Sequence, residues 1–179
     1  KGSHYKVLSL DKDTGACTLK VRFDGGFRRK PGLSYSDAEI FVLNGQIKVG
    51  KQVWIEGHYA FIPAGMAIGA IEVPQGAEVL LMFNDSEPSF AETDQHHRLA
   101  LTDAFSSVNS YEDRPWAPGN LVNPSVASGC LIKVLHYDVM TEALSFLYCM
   151  TPQFAQDNIS YHDSAEESYH IWGSSWMMQ

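Results

Sequence analysis

The chain reads as an all-β protein built on a small barrel or sandwich, and three observations carry that reading. Short β-rich runs follow one another through the first 85 residues, each closed by a turn signal. No stretch there shows the 3.6-residue apolar period of an amphipathic helix. The chain also repeats itself: Lys6, Val7, Leu8, Asp11, Thr14 and Ala16 recur as Lys133, Val134, Leu135, Asp138, Thr141 and Ala143, all at one offset of 127 residues.

The elements follow in order. Residues 18–23 alternate, with Leu19, Val21 and Phe23 on one face and Thr18, Lys20 and Arg22 on the other. Runs at 39–43, 46–49, 52–55, 59–62, 67–73 and 78–83 follow. Asn44-Gly45, Gly50-Lys51, Glu56-Gly57, Pro63-Ala64-Gly65 and Pro74-Gln75-Gly76 read as the turns between them. From Asp85 the chain becomes polar and irregular, with one short strand or helical turn expected near 101–108. Trp116, between two prolines, is expected to anchor this connector to a barrel. Strands resume at 131–137, 144–150 and 167–172.

A repeat at this spacing means two copies of one domain, because solenoid periods run about 20–50 residues. Phe27 meets Phe154 at the same offset, and Gly45 meets Gly173 after small slips. The expected organisation is a complete first module at 1–85, a connector at 86–130 and a partial second repeat at 131–179. An incomplete repeat would leave unpaired strand edges, so a homodimer is expected, with 131–150 lying against the first module or a symmetry mate.

Composition narrows the partners. Hydrophobic residues make up 45% and aromatic residues 12%, enough for an ordinary core. A net charge of −8 argues against nucleic acid or an anionic membrane, which need a basic footprint. With no signal segment or membrane-length apolar run in view, the cytoplasm is the expected location. Cys17, Cys130 and Cys149 have neither disulfide-framework nor metal-ligand spacing.

Two segments carry a family resemblance. Ser34-Tyr35-Ser36-Asp37-Ala38-Glu39-Ile40-Phe41-Val42-Leu43-Asn44-Gly45 resembles the first cupin motif, and Gly57-His58-Tyr59-Ala60-Phe61-Ile62-Pro63-Ala64-Gly65 resembles the second. With the Arg114-Pro115-Trp116 connector and the second half, the chain resembles two-barrel cupins over nearly its whole length. The resemblance implies an all-β jelly-roll barrel whose interior often holds a divalent metal on three imidazoles and a carboxylate.

Measured against that pattern, the first barrel lacks its imidazoles. The paired His positions fall on Leu33 and Tyr35, or on Gly32 and Ser34, and the closing His falls on Ile68. Only Glu39 remains, so no metal is expected in this barrel. His58 is read as a solvated turn residue, and His96-His97 as part of a solvated connector. In the second repeat, His162 with Glu166 or Glu167 forms half a ligand set. A divalent metal (Fe, Mn, Ni or Zn) is therefore expected only with a complete second barrel.

Alternation puts Glu39, Phe41 and Leu43 on one face, and the resemblance implies that this face looks inward. An unpaired buried carboxylate is costly. Glu39 is then either an acid/base group in an apolar pocket, its pKa raised by desolvation, or a structural carboxylate tied to Arg22 or Tyr35. Tyr35, Arg22, Phe41, Ile68 and Met82 are the candidate substrate-binding residues around it. Three functions follow: a small-molecule enzyme doing isomerase-, dehydratase- or cyclase-type acid/base chemistry; a non-catalytic ligand-binding or dimerisation barrel; or a metal-dependent dioxygenase or decarboxylase if the second barrel is complete.

Overall fold

Two copies of one hairpin head the two halves of the chain. In this computed structural model, which describes residues 1–156 and 165–175, β1 (Ser3–Leu10) and β2 (Cys17–Phe23) pair antiparallel. Then come β3 (Phe27–Arg29), β4 (Gly32–Leu33), β5 (Ala38–Val49), β6 (Gln52–Ile55), β7 (His58–Ile62), β8 (Ile71–Val73) and β9 (Ala77–Phe83). Short strands β10 (Ala91–Glu92), β11 (Ser106–Asn109) and β12 (Ala117–Pro118) precede β13 (Cys130–Tyr137) and β14 (Leu144–Met150). The bounds of β13 and β14 are those of β1 and β2 moved by the repeat offset.

Two sheets share β5. Its first half lies in the order β1-β2-β9-β5-β7-β11, and its second half pairs with β6 and β8, which in turn holds β3. Asn44-Gly45, read as a turn, is instead a bend inside this one strand. The register with β9 slips between Val42 and Asn44, and Gly45 sits at φ +80° with its Cα side against the Gly76 carbonyl. A bulge of this kind lets one strand pass from sheet to sheet.

The core lies between the two sheets. Even-numbered positions of β5 (Ala38, Ile40, Val42) join Val21, Ala60, Ile62 and Val79 from one sheet with Ile47, Val49, Trp54, Ile71 and Val73 from the other. Val42, Trp54, Val73 and Val79 are almost completely buried. Each such side chain stabilises the fold by about 1.5–3 kcal/mol.

The polar stretch after Asp85 is more than a connector. β10 pairs with β4, and β11 extends the larger sheet beyond β7. One compact unit takes in Lys1–Pro115 and Val134–Phe146, and the other takes in Trp116–Lys133 and Leu147–Gln179. Within the first unit, residues 134–146 reach the outer face of the sheet at Phe61, on which the His136 ring stacks at 3.8 Å. In the second unit Trp116 is 40% exposed, with Lys133 Nζ 4.7 Å from its ring. The strand expected at 167–172 does not form. Among the described residues, no helix is long and apolar enough to cross a membrane.

Candidate functional site

The barrel interior holds a cavity, and the strand pattern explains its wall. Inward positions of β5, β7 and β9 supply Ala38, Ile40, Ile62, Val79, Leu81 and Phe83, while the opposite sheet supplies Ile47, Val49, Trp54 and Ile71. Met66, Ile68, Phe90 and both residues of β4 also line it. The space open to the centre of a water molecule is about 70 Å³. One water needs roughly 10–15 Å³ by that measure, so a compact organic molecule fits and a polymer does not.

Among the described residues, the polar ones that reach this wall are Arg29, Ser34 and Ser89. Arg29 belongs to β3, opposite Ile71, so it shares the inward face with Phe27. Its guanidinium lies 4.6 Å from the Phe90 ring centroid. Its Nε is buried with no hydrogen-bond acceptor among the described residues. Burial also holds its pKa below the ordinary arginine value. Ser34 and Ser89 bring their hydroxyls to 3.3 Å; Ser89 Oγ accepts from the Tyr35 N–H and Ser34 Oγ from the Ser36 N–H.

Glu39 does not face this cavity. It pairs with Phe61 and Met82, so it shares their side of the sheet, opposite Ala38 and Ile40. There it is 6% exposed and fully engaged: Tyr59 Oη donates to Oε2 at 2.6 Å and Asn84 Nδ2 donates to Oε1 at 2.7 Å. Burial first, then the Glu39 charge, pushes the Tyr59 phenol well above its ordinary pKa. Neither Arg22 nor Tyr35 is its partner. Arg22 is exposed beside Asp24, and Tyr35 is 60% exposed with its ring edge toward His97. The resemblance placed the wrong parity inward, because the residue of this strand that meets the interior is Ala38.

Of the expected binding residues, only Ile68 lines the cavity. Phe41 and Met82 lie on the outer face with Glu39, Phe41 packing edge-on against Tyr111. His58 is not a solvated turn residue. It opens β7, stacks on Trp54 at 5.1 Å and shares a hydrogen bond with Ser107 Oγ at 2.8 Å. Burial lowers its pKa, partly offset by Asp113. His96 Nδ1 accepts the Ala67 N–H, which fixes the loop rather than presenting a free imidazole.

The donor set decides what the cavity can hold. Among the described residues, no His, Cys, Asp or Glu lines it, and its one charged group is a cation. Two hydroxyls beside a guanidinium do not fit a divalent metal. No group of three or more potential ligands is found elsewhere among the described residues. In the second repeat, Glu166 and Glu167 are exposed, and His162 lies outside the described residues.

An antiparallel barrel of two sheets around an apolar interior, with these two motifs on β5 and β7, is a cupin-type fold. The chain belongs to the family described as Domain of unknown function (DUF4437), whose model matches residues 3–178. No curated protein matches it. Among solved structures it is similar to a Nostoc punctiforme PCC 73102 protein provisionally described as a dioxygenase. The two share 27% identity and a TM-score of 0.77 over 85% of this chain and 53% of that one. The chain thus spans about half of that protein's length. A Methylibium petroleiphilum PM1 protein provisionally described as an acetylacetone dioxygenase matches at 19% identity and TM-score 0.46, over 56% of this chain and 73% of its own. A Ralstonia eutropha JMP134 protein of unknown function with a cupin-like fold matches at 17% and 0.45, over 52% and 65%.

Proposed function

We propose that the first barrel takes up a compact, mostly apolar organic molecule in its interior. The cavity carries this reading. Its wall is apolar from both sheets, and it is large enough for several water-sized groups while the surrounding core is well packed. A void of that size left empty would forfeit the packing contacts of its lining. Xenon tests the reading without regard to charge. Pressurised crystals should show xenon among Ile40, Ile62 and Leu81; an interior that admits none would overturn it.

A second reading follows from the 27% identity with the provisionally described dioxygenase. In a longer protein the fold would serve oxygen-dependent chemistry. The first-barrel cavity lacks imidazoles and carboxylates among the described residues, so any metal ligands would come from outside this barrel. Elemental analysis of dialysed full-length protein addresses this. One equivalent of iron, manganese, nickel or zinc supports the second reading, and its absence from an active protein removes it.

A further inference from the structure

Resting on the reading of the barrel interior as a binding pocket, we infer that its ligand is an organic anion, a small carboxylate whose charge pairs with Arg29 and whose apolar body fills the cavity.

Arg29 is a cation with no counter-ion among the described residues. Buried charges in proteins are paired, and buried donors are almost always satisfied. Arg29 is half-buried, and the second rule fails at its Nε. Among the described residues its buried Nε has no acceptor and no carboxylate pairs with the guanidinium, whereas the neighbouring Lys30 pairs with Glu92 at 2.6 Å. Among the described residues its guanidinium meets the Phe90 ring face, which holds the plane in place but accepts no hydrogen bond.

The setting fits a carboxylate. Guanidinium presents paired donors matched to two carboxylate oxygens, and the low dielectric of an apolar wall strengthens that pairing. The two serines add a further donor. Each hydroxyl already accepts a backbone N–H, and their mutual contact uses one of the two O–H hydrogens. The remaining hydroxyl hydrogen has no acceptor in that pair and can turn toward an anionic oxygen. Arg29, Ser34 and Ser89 all belong to the same cavity wall, and the rest of that wall is apolar. The ligand so described has one charged end and a short branched or cyclic hydrocarbon body. The overall charge of −8 makes this local positive site a matter of specificity rather than long-range steering.

Isovalerate and isovaleramide, nearly equal in shape and different in charge, test the inference by calorimetric or NMR titration of the protein. Isovalerate should bind at least about tenfold more tightly than the amide, the worth of a charge-assisted hydrogen bond. Arg29→Met and Arg29→Gln, two variants so that a folding failure in one leaves the other, should bring the two affinities together. Equal binding of acid and amide to the unaltered protein would overturn the inference, as would a preference that survives both substitutions. Absence of isovalerate binding in a protein whose barrel admits xenon would also overturn it, leaving the pocket intact. A barrel that admits neither removes the pocket reading itself.

Discussion

Asp11 and Asp138 hold two copies of the same turn. Asp11 Oδ1 accepts the Asp13 N–H at 2.8 Å and its Oδ2 accepts the Thr14 hydroxyl at 2.9 Å. Asp138 does the same with the Met140 N–H at 2.8 Å and the Thr141 hydroxyl at 2.8 Å. The next contacts also recur: Thr14 Oγ1 accepts from Ala16 N–H, and Thr141 Oγ1 from Ala143 N–H. The sequence repeat is therefore a repeat of geometry, built by Asp-x-x-Thr side chains that close a loop on its own backbone.

A pH dependence follows. The backbone N–H donors of Asp13 and Met140, then the threonine hydroxyls, hold both carboxyls below the ordinary range. A depressed carboxylate contributes stability that is present above its unfolded pKa and is lost as pH falls through its folded pKa. Asp11→Ala should lower the melting temperature at pH 7, and the gap from wild type should narrow below pH 4. A gap constant from pH 7 to 3 would contradict this.

Glu39 is assigned a structural role. Tyr59→Phe removes one of its two donors and should destabilise the protein by about 1–3 kcal/mol in urea unfolding. Glu39→Gln should cost less, because the Tyr59 hydroxyl can reverse and accept from the amide. Neither change should alter ligand affinity in the barrel by more than about twofold, since the carboxylate lies on the other face of the sheet. A large loss of binding in Glu39→Gln with unchanged stability would contradict the assignment.

His58 gives a second acid-sensitive contribution. Its folded pKa is lowered by burial against Trp54, so the fold favours the neutral ring. The stability it confers is complete above the unfolded value of about 6.5 and is lost as pH falls toward the folded value. His58→Phe should flatten the melting-temperature profile between pH 7 and 5. An unchanged profile would show that the ring takes its proton without cost.

Ala38→Leu would place a larger apolar side chain in the cavity. It should abolish isovalerate binding while keeping the melting temperature at or above wild type, because it fills space rather than displacing packed atoms. Loss of both stability and binding would mean that the space at Ala38 is not available.

Most of the strands were legible because their periodicity is local. Residues 18–23 alternate, and that alternation is the observed division between core and surface. The bulge at Gly45 was not legible. Asn-Gly carries the composition of a turn, and only the sheet-to-sheet crossing of β5, a tertiary feature, turns it into a bend. The facing of Glu39 failed for a related reason: adjacent residues Ala38 and Glu39 differ by one step of a two-residue period, and one step reverses the face. Ile68 lies on the cavity wall. Arg29 was missed because Phe27-Arg28-Arg29-Lys30 looks like a solvated basic run. The two-residue spacing of Phe27 and Arg29 was the available signal, and the pairing with β8 sends both inward together.

The most direct measurement is a crystal structure of the protein grown with isovalerate. The carboxylate oxygens should lie within hydrogen-bonding distance of Arg29 Nε, with the methyl groups toward Ile40 and Leu81. An interior that excludes the molecule, or one that holds it with its charge turned away from Arg29, would contradict this.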